Sequence, residues 1–119
     1  MRKARLAIAA VTVACLAPAG AKAAPFDGRW SVTVISEYGD CDRRFAIPVA
    51  VREGSVRYTG RFTSRASGDV SGEGRVVITF RHEGQVVHAT GSLRSTFGNG
   101  AWESATLACS GTWIARKAR

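Results

Sequence analysis

Two histidines, two aspartates flanking a cysteine, and a scatter of arginines are the side chains with chemistry to offer. His82 and His88 are close enough in sequence to suggest a metal or haem pair. Glu83-Gly84, however, has the composition of a two-residue hairpin loop, which sets His82 opposite Gln85 and His88 opposite Thr79. Side chains alternate across a strand, so the two imidazoles are expected on opposite faces and could not share a metal. No HExxH, no Cys/His cluster and no Asp-x-Asp-x-Asp loop is present, so neither a metal site nor a cofactor is expected.

Asp40 and Asp42 flank Cys41 beside Arg43 and Arg44. Acid–base work would require carboxylates with separated pKa values in a cleft; a polar turn whose charges pair locally is the simpler expectation. Serines are numerous, but no Gly-x-Ser-x-Gly elbow occurs. Two histidines leave little material for a hydrolase relay. The expectation is a protein that is not an enzyme.

The arginines point elsewhere. Beyond residue 23 the chain carries 13 basic residues, all Arg except Lys117. Arg44, Arg52 and Arg57 are expected on one outward face, and Arg75 and Arg81 on another. Guanidinium groups make planar, bidentate contacts to carboxylate and phosphate. The candidate partners are therefore an anionic envelope component, such as lipid head groups or lipopolysaccharide phosphates, or an acidic protein. The plainer alternative is a solvated face in an arginine-rich composition. Nucleic acid is not expected, since no aromatic RNA-stacking motif is present.

The elements that hold these groups begin after a leader. Met1-Arg2-Lys3-Ala4-Arg5, an apolar run from Leu6 to Pro18, and Ala21-Lys22-Ala23 have the basic start, short hydrophobic middle and A-x-A exit of a secretory signal peptide. Residues 1–23 are read as that signal and 24–119 as one domain, exported to the periplasm or medium, with no transmembrane span and monomeric. Of the 17 basic residues, Arg2, Lys3, Arg5 and Lys22 leave with the signal, so 13 face 9 acidic residues, a net charge of +4. Cys15 falls in the leader, without a lipoprotein context. Cys41 and Cys109 remain, and an exported domain with two cysteines most simply bridges them. A closed loop of roughly 70 residues would add about 4 kcal/mol in the chain-entropy model, useful to a domain this small.

From Phe26 onward β-branched and aromatic residues alternate with polar ones, and glycines punctuate the runs. Strands are predicted at 29–37, 43–52, 55–60, 65–71, 75–82, 85–95, 100–106 and 108–115, with turns at Gly39, Gly54, Gly84 and Gly98/Gly100. The fold class is all-β, an antiparallel up-and-down meander of about eight strands forming a small barrel or sandwich. Two-residue loops at Glu53-Gly54 and Glu83-Gly84 fix the registers Val51/Val56, Val49/Tyr58, Phe80/Val87, Ile78/Ala89 and Val76/Gly91. They gather Phe45, Val49, Tyr58, Ile78, Phe80 and Val87 as core or ligand-lining residues, to which the Gly-x-Trp ends add Trp30 and Trp113. Pro48 cannot donate a ladder bond, which predicts a bulge or an edge there. Ser64–Gly74, glycine-rich and short of apolar residues, predicts a weak strand.

Phe26-Asp27-Gly28-Arg29-Trp30 opens the domain and Cys109-Ser110-Gly111-Thr112-Trp113 closes it. Gly-x-Trp on a first strand resembles the start of calycin-type barrels, the lipocalin and avidin-like folds. The wider layout, with Gly39-Asp40-Cys41 between, resembles a group of small exported bacterial β-barrel proteins of unassigned function. The twin Gly-x-Trp ends predict that the first and last strands meet, each Gly letting its Trp cover the base, and the resemblance implies a barrel fold and an exported compartment. The functional expectation is an exported, non-enzymatic binding or interaction domain of the bacterial envelope. The alternative is a proteinaceous inhibitor of an exported peptidase, which would insert an extended N-terminal trunk into its target.

Overall fold

The structure, a computed structural model, describes residues 25–119; the signal peptide expected at 1–23 lies outside them. Eight strands run β1 (Gly28–Tyr38), β2 (Arg44–Arg52), β3 (Ser55–Tyr58), β4 (Ser64–Val70), β5 (Arg75–His82), β6 (Gln85–Arg94), β7 (Phe97–Ser104) and β8 (Cys109–Lys117). Each pairs antiparallel with the next, and β8 returns to β1, closing a meander barrel. Closure leaves no free edge at the chain ends.

Both Glu-Gly corners behave as predicted. Glu53 and Gly54 have φ of 51° and 79°, and Glu83 and Gly84 have 48° and 83°. Positive φ at both central residues is what a type I′ hairpin requires. The pairs Val49↔Tyr58, Val51↔Val56, Val76↔Gly91, Ile78↔Ala89 and Phe80↔Val87 follow. The Glu53 corner is held from outside, because the Asp27 carboxylate accepts hydrogen bonds from the N–H groups of Glu53 (2.7 Å) and Gly54 (3.3 Å).

The corners 53–54, 71–74 and 95–96 mark one end, the foot; 39–43, 59–63, 83–84 and 105–108 mark the other, the mouth. At the foot the interior is filled by Phe26, Trp30, Val51, Val56, Val70, Val76, Leu93 and Ala115, all buried. Trp30 Nε1 donates to the Phe26 carbonyl at 2.8 Å, so the opening Phe-Asp-Gly-x-Trp plugs and caps the foot. The first and last strands do meet, with Val34 opposite Trp113.

Trp113, however, does not cover the base. It sits at mid-height, packed over Gly91 and Gly100 of the neighbouring strands, and its Nε1 donates to the Thr90 carbonyl at 3.1 Å. Trp102 pairs across β8 with Gly111 and donates to the Ile35 carbonyl of β1 at 3.0 Å. A glycine opposite each indole leaves room for the ring to lie along the barrel wall. That role also corrects the predicted turn at Gly98/Gly100. The chain turns at Ser95-Thr96, and both glycines lie inside β7.

Phe45 is the second correction. Its register with Val34 gives it the inward parity of Val49, yet it is 40% exposed. It lies at the mouth, above the last layer that could cover it.

Pro48 leaves the β1–β2 register unbroken from Gly28↔Val51 to Ile35↔Arg44, so there is no bulge. Its effect falls on β3. The Pro48 carbonyl accepts from Thr59 N–H at 3.0 Å, but the return bond lacks its donor. The β2–β3 ladder accordingly stops at Val49↔Tyr58. β4 is fully paired with β5, from Ser64↔His82 to Val70↔Val76. Against β3 it has a single ladder pair, Ser55↔Asp69.

At the mouth Cys41 and Cys109 form a disulfide, with a Cα–Cα distance of 6.4 Å. It ties the 39–43 loop to the start of β8. No helix of the described residues is long and apolar enough to cross a membrane.

Candidate functional site

The inner wall is unevenly covered. On the β7–β8–β1 side Trp102, Cys109, Trp113 and Val34 are buried. On the β2–β6 side Ile47, Tyr58, Ile78, Phe80, Val87 and Ala89 are only partly buried. Tyr58 and Phe80 meet edge to face, with centroids 5.6 Å apart. With Val32 of β1, these partly buried residues are the less covered side chains of an inner wall in which Val49 and Ala66 are buried. Around the rim stand Tyr38 and Phe62, each 71% exposed, with Phe45 and Leu107.

The histidines part as expected. His82 faces inward at the rim, its Nδ1 2.7 Å from Ser64 Oγ; Phe62 lies edge-on to its ring. His88 faces outward, 3.3 Å from Thr79 Oγ1. On the outer wall a cleft of about 310 Å³ is lined by His88, Glu103, Ser104, Ala105, Ala108, Cys109 and Ser110. The register orders its polar residues His88, Glu103, Ser110 across three strands. A nucleophilic relay needs the imidazole between hydroxyl and carboxylate; here the carboxylate is in the middle. Among the described residues no group of three or more His, Cys, Asp or Glu is placed to hold a metal ion.

The five predicted arginines do not form one patch. Arg44 opens β2 at the mouth and Arg52 ends it at the foot, roughly 27 Å away at about 3.4 Å per residue. Arg75 also lies at the foot, opposite Ser92. Arg57 pairs with Ala50 and lies toward the foot, three residues past the Glu53-Gly54 corner, whereas Arg81 lies in the mouth half. There the structure supplies a residue that the strand pattern does not single out: Arg65 is directly opposite Arg81 in the β4–β5 register. Arg57 and Arg65 line one cleft of about 260 Å³ with Tyr58, Ser64 and Ala66. Directly opposed like charges cost stability in a sheet. No carboxylate relieves them, for the one ion pair among the described residues is His82 with Glu83, at 3.6 Å. Arg65 could have been found only by aligning the weak strand with β5, which its glycines and serines obscure.

Comparison of the chain with protein-family models, curated proteins and solved structures gave no match.

Proposed function

We propose that the chain is an exported, non-enzymatic binding domain that engages an anionic partner on the outer wall beside the join of β3 and β4. The observation that carries this reading is the trio Arg57, Arg65 and Arg81. Arg65 and Arg81 stand in direct cross-strand opposition and Arg57 shares a cleft with Arg65, none of them with a carboxylate within 4.0 Å. Beside them lies an exposed aromatic rim. Arginine and aromatic side chains together are the composition enriched in binding interfaces. The disulfide agrees with an oxidising, extracytoplasmic setting.

The peptidase-inhibitor alternative draws less support. Its trunk would come from the segment before Trp30, where Phe26 is instead buried beneath the barrel.

The test measures binding of the full chain to phosphatidylglycerol vesicles and to polyglutamate at low and high salt. Replacing Arg57, Arg65 and Arg81 together with Gln should weaken binding about tenfold or more at low salt, and salt should erase the difference. The control replaces Arg75, Arg94 and Arg116 with Gln, removing equal charge from the foot away from β3. Equal loss in both variants would mean that net charge alone attracts polyanions, and the reading would fail.

A further inference from the structure

The reading above leaves the partner's chemistry open, and the join between β3 and β4 narrows it. Main-chain direction at this join is fixed by bonds on either side. Thr59 N–H reaches the Pro48 carbonyl, so odd-numbered residues of β3 face β2 and even-numbered ones face β4. Ser71 N–H reaches the Arg75 carbonyl and Val70 N–H reaches the Gly54 carbonyl, at 2.9 and 2.8 Å. Even-numbered residues of β4 therefore face β3. Every other neighbouring pair of strands shares at least four ladder pairs; this one shares only Ser55↔Asp69. Above that pair, Tyr58 and Ala66 direct their N–H and C=O groups into the join without a ladder partner. The 260 Å³ cleft opens there, with Arg57 on one lip and Arg65 on the other.

We infer that the β3–β4 join is a docking slot for an extended acidic polypeptide segment, which pairs its main chain with the free strand edges and its carboxylates with Arg57, Arg65 and Arg81. Bare edges present donors and acceptors in alternation, which is the complement of another strand. A phosphate or lipid head group would satisfy the guanidinium groups but brings no row of N–H and C=O groups at strand spacing for the edges. The outward side chains of a docked strand repeat every two residues, about 6.8 Å, so acidic residues at i and i+2 would meet successive arginines. The chain's own first 23 residues carry Arg2, Lys3, Arg5 and Lys22 and no acid, and would be repelled.

This inference rests on the anionic-partner reading, and its test separates the two. Fluorescence anisotropy of the full chain with a labelled alternating Glu-Thr octapeptide is compared with the same peptide N-methylated at alternate residues, which keeps every charge and removes edge donors. The expected result is saturable binding that weakens about tenfold or more on N-methylation, with slowed amide exchange at residues 56–58 and 64–67. Equal affinity of the two peptides, or binding to phosphatidylglycerol vesicles and not to the peptide, would overturn the strand-pairing slot while leaving the anionic reading standing. Failure of both peptides, vesicles and polyglutamate to bind would overturn both.

Discussion

The packing of Trp113 against two glycines gives a measurable consequence. A Cβ added at Gly100 would lie 2.7 Å from Trp113 Cε2 and 2.7 Å from Gly91 Cα, and against the Thr90 carbonyl oxygen. Comfortable carbon contacts are about 3.5–4.0 Å. Two of these three obstacles are main chain, so no rotamer change relieves them. Gly100→Ala should therefore fall at the upper end of overpacking costs, roughly 2–3 kcal/mol. For a domain of this size 1 kcal/mol moves the melting temperature by about 4–8 °C, so the expected fall is roughly 10–20 °C. Gly72→Ala is the control: a Cβ there meets nothing within 4 Å, and the change should be neutral or add up to about 1 kcal/mol. Thermal unfolding followed by far-UV circular dichroism, with the near-UV tryptophan bands as a packing reporter, reads both. Adding Trp113→Leu to Gly100→Ala should not restore the lost stability, since the Thr90 carbonyl still blocks the methyl group. A Gly100→Ala melting temperature within about 2 °C of the parent, or an equal fall in Gly72→Ala, would refute the argument.

Two further predictions concern the mouth. Replacing Cys41 and Cys109 with Ser opens a loop of sequence separation 68 and should lower stability by about 2–4 kcal/mol; an unchanged urea midpoint would show that the bridge constrains nothing. Arg81→Glu places a carboxylate opposite Arg65 in place of a like charge. Stability should rise by about 0.2–1 kcal/mol while polyanion binding weakens, and a fall in the urea midpoint would contradict the proposed repulsion.

The barrel was legible in the sequence because its strongest signals are local. Glu53-Gly54 and Glu83-Gly84 dictate two hairpins, and each hairpin's register is confirmed by apolar residues meeting apolar ones. What escaped was set by neighbours distant in sequence. Gly98 and Gly100 look like turn residues until Leu93 and Trp113 are seen occupying the space beside them. Phe45 has the parity of a core residue, but parity cannot tell how near the mouth a residue stands. Trp102 was absent from the expected core, although its indole spans β8 to reach Ile35. The arginine trio escaped for a related reason. Arg57 belongs to one hairpin and Arg81 to another, while the strand that joins them, Ser64–Val70, carries the faintest pattern in the chain.

One residue links these observations. Pro48 removes the donor that would have continued the β2–β3 ladder, and β3 ends after four residues. A longer β3 would have run beside the whole of β4 and sealed the join. The shortened strand leaves the Tyr58 and Ala66 main chain uncovered and sets Arg57 facing Arg65 across a gap. Exposed edges invite unwanted pairing, and charged side chains placed on them are a common protection. Arginines on both lips would repel basic and other like-charged strands while admitting acidic ones. The same three side chains thus serve as guard and as selector, and the weakest join in the barrel is the place where its composition is least neutral.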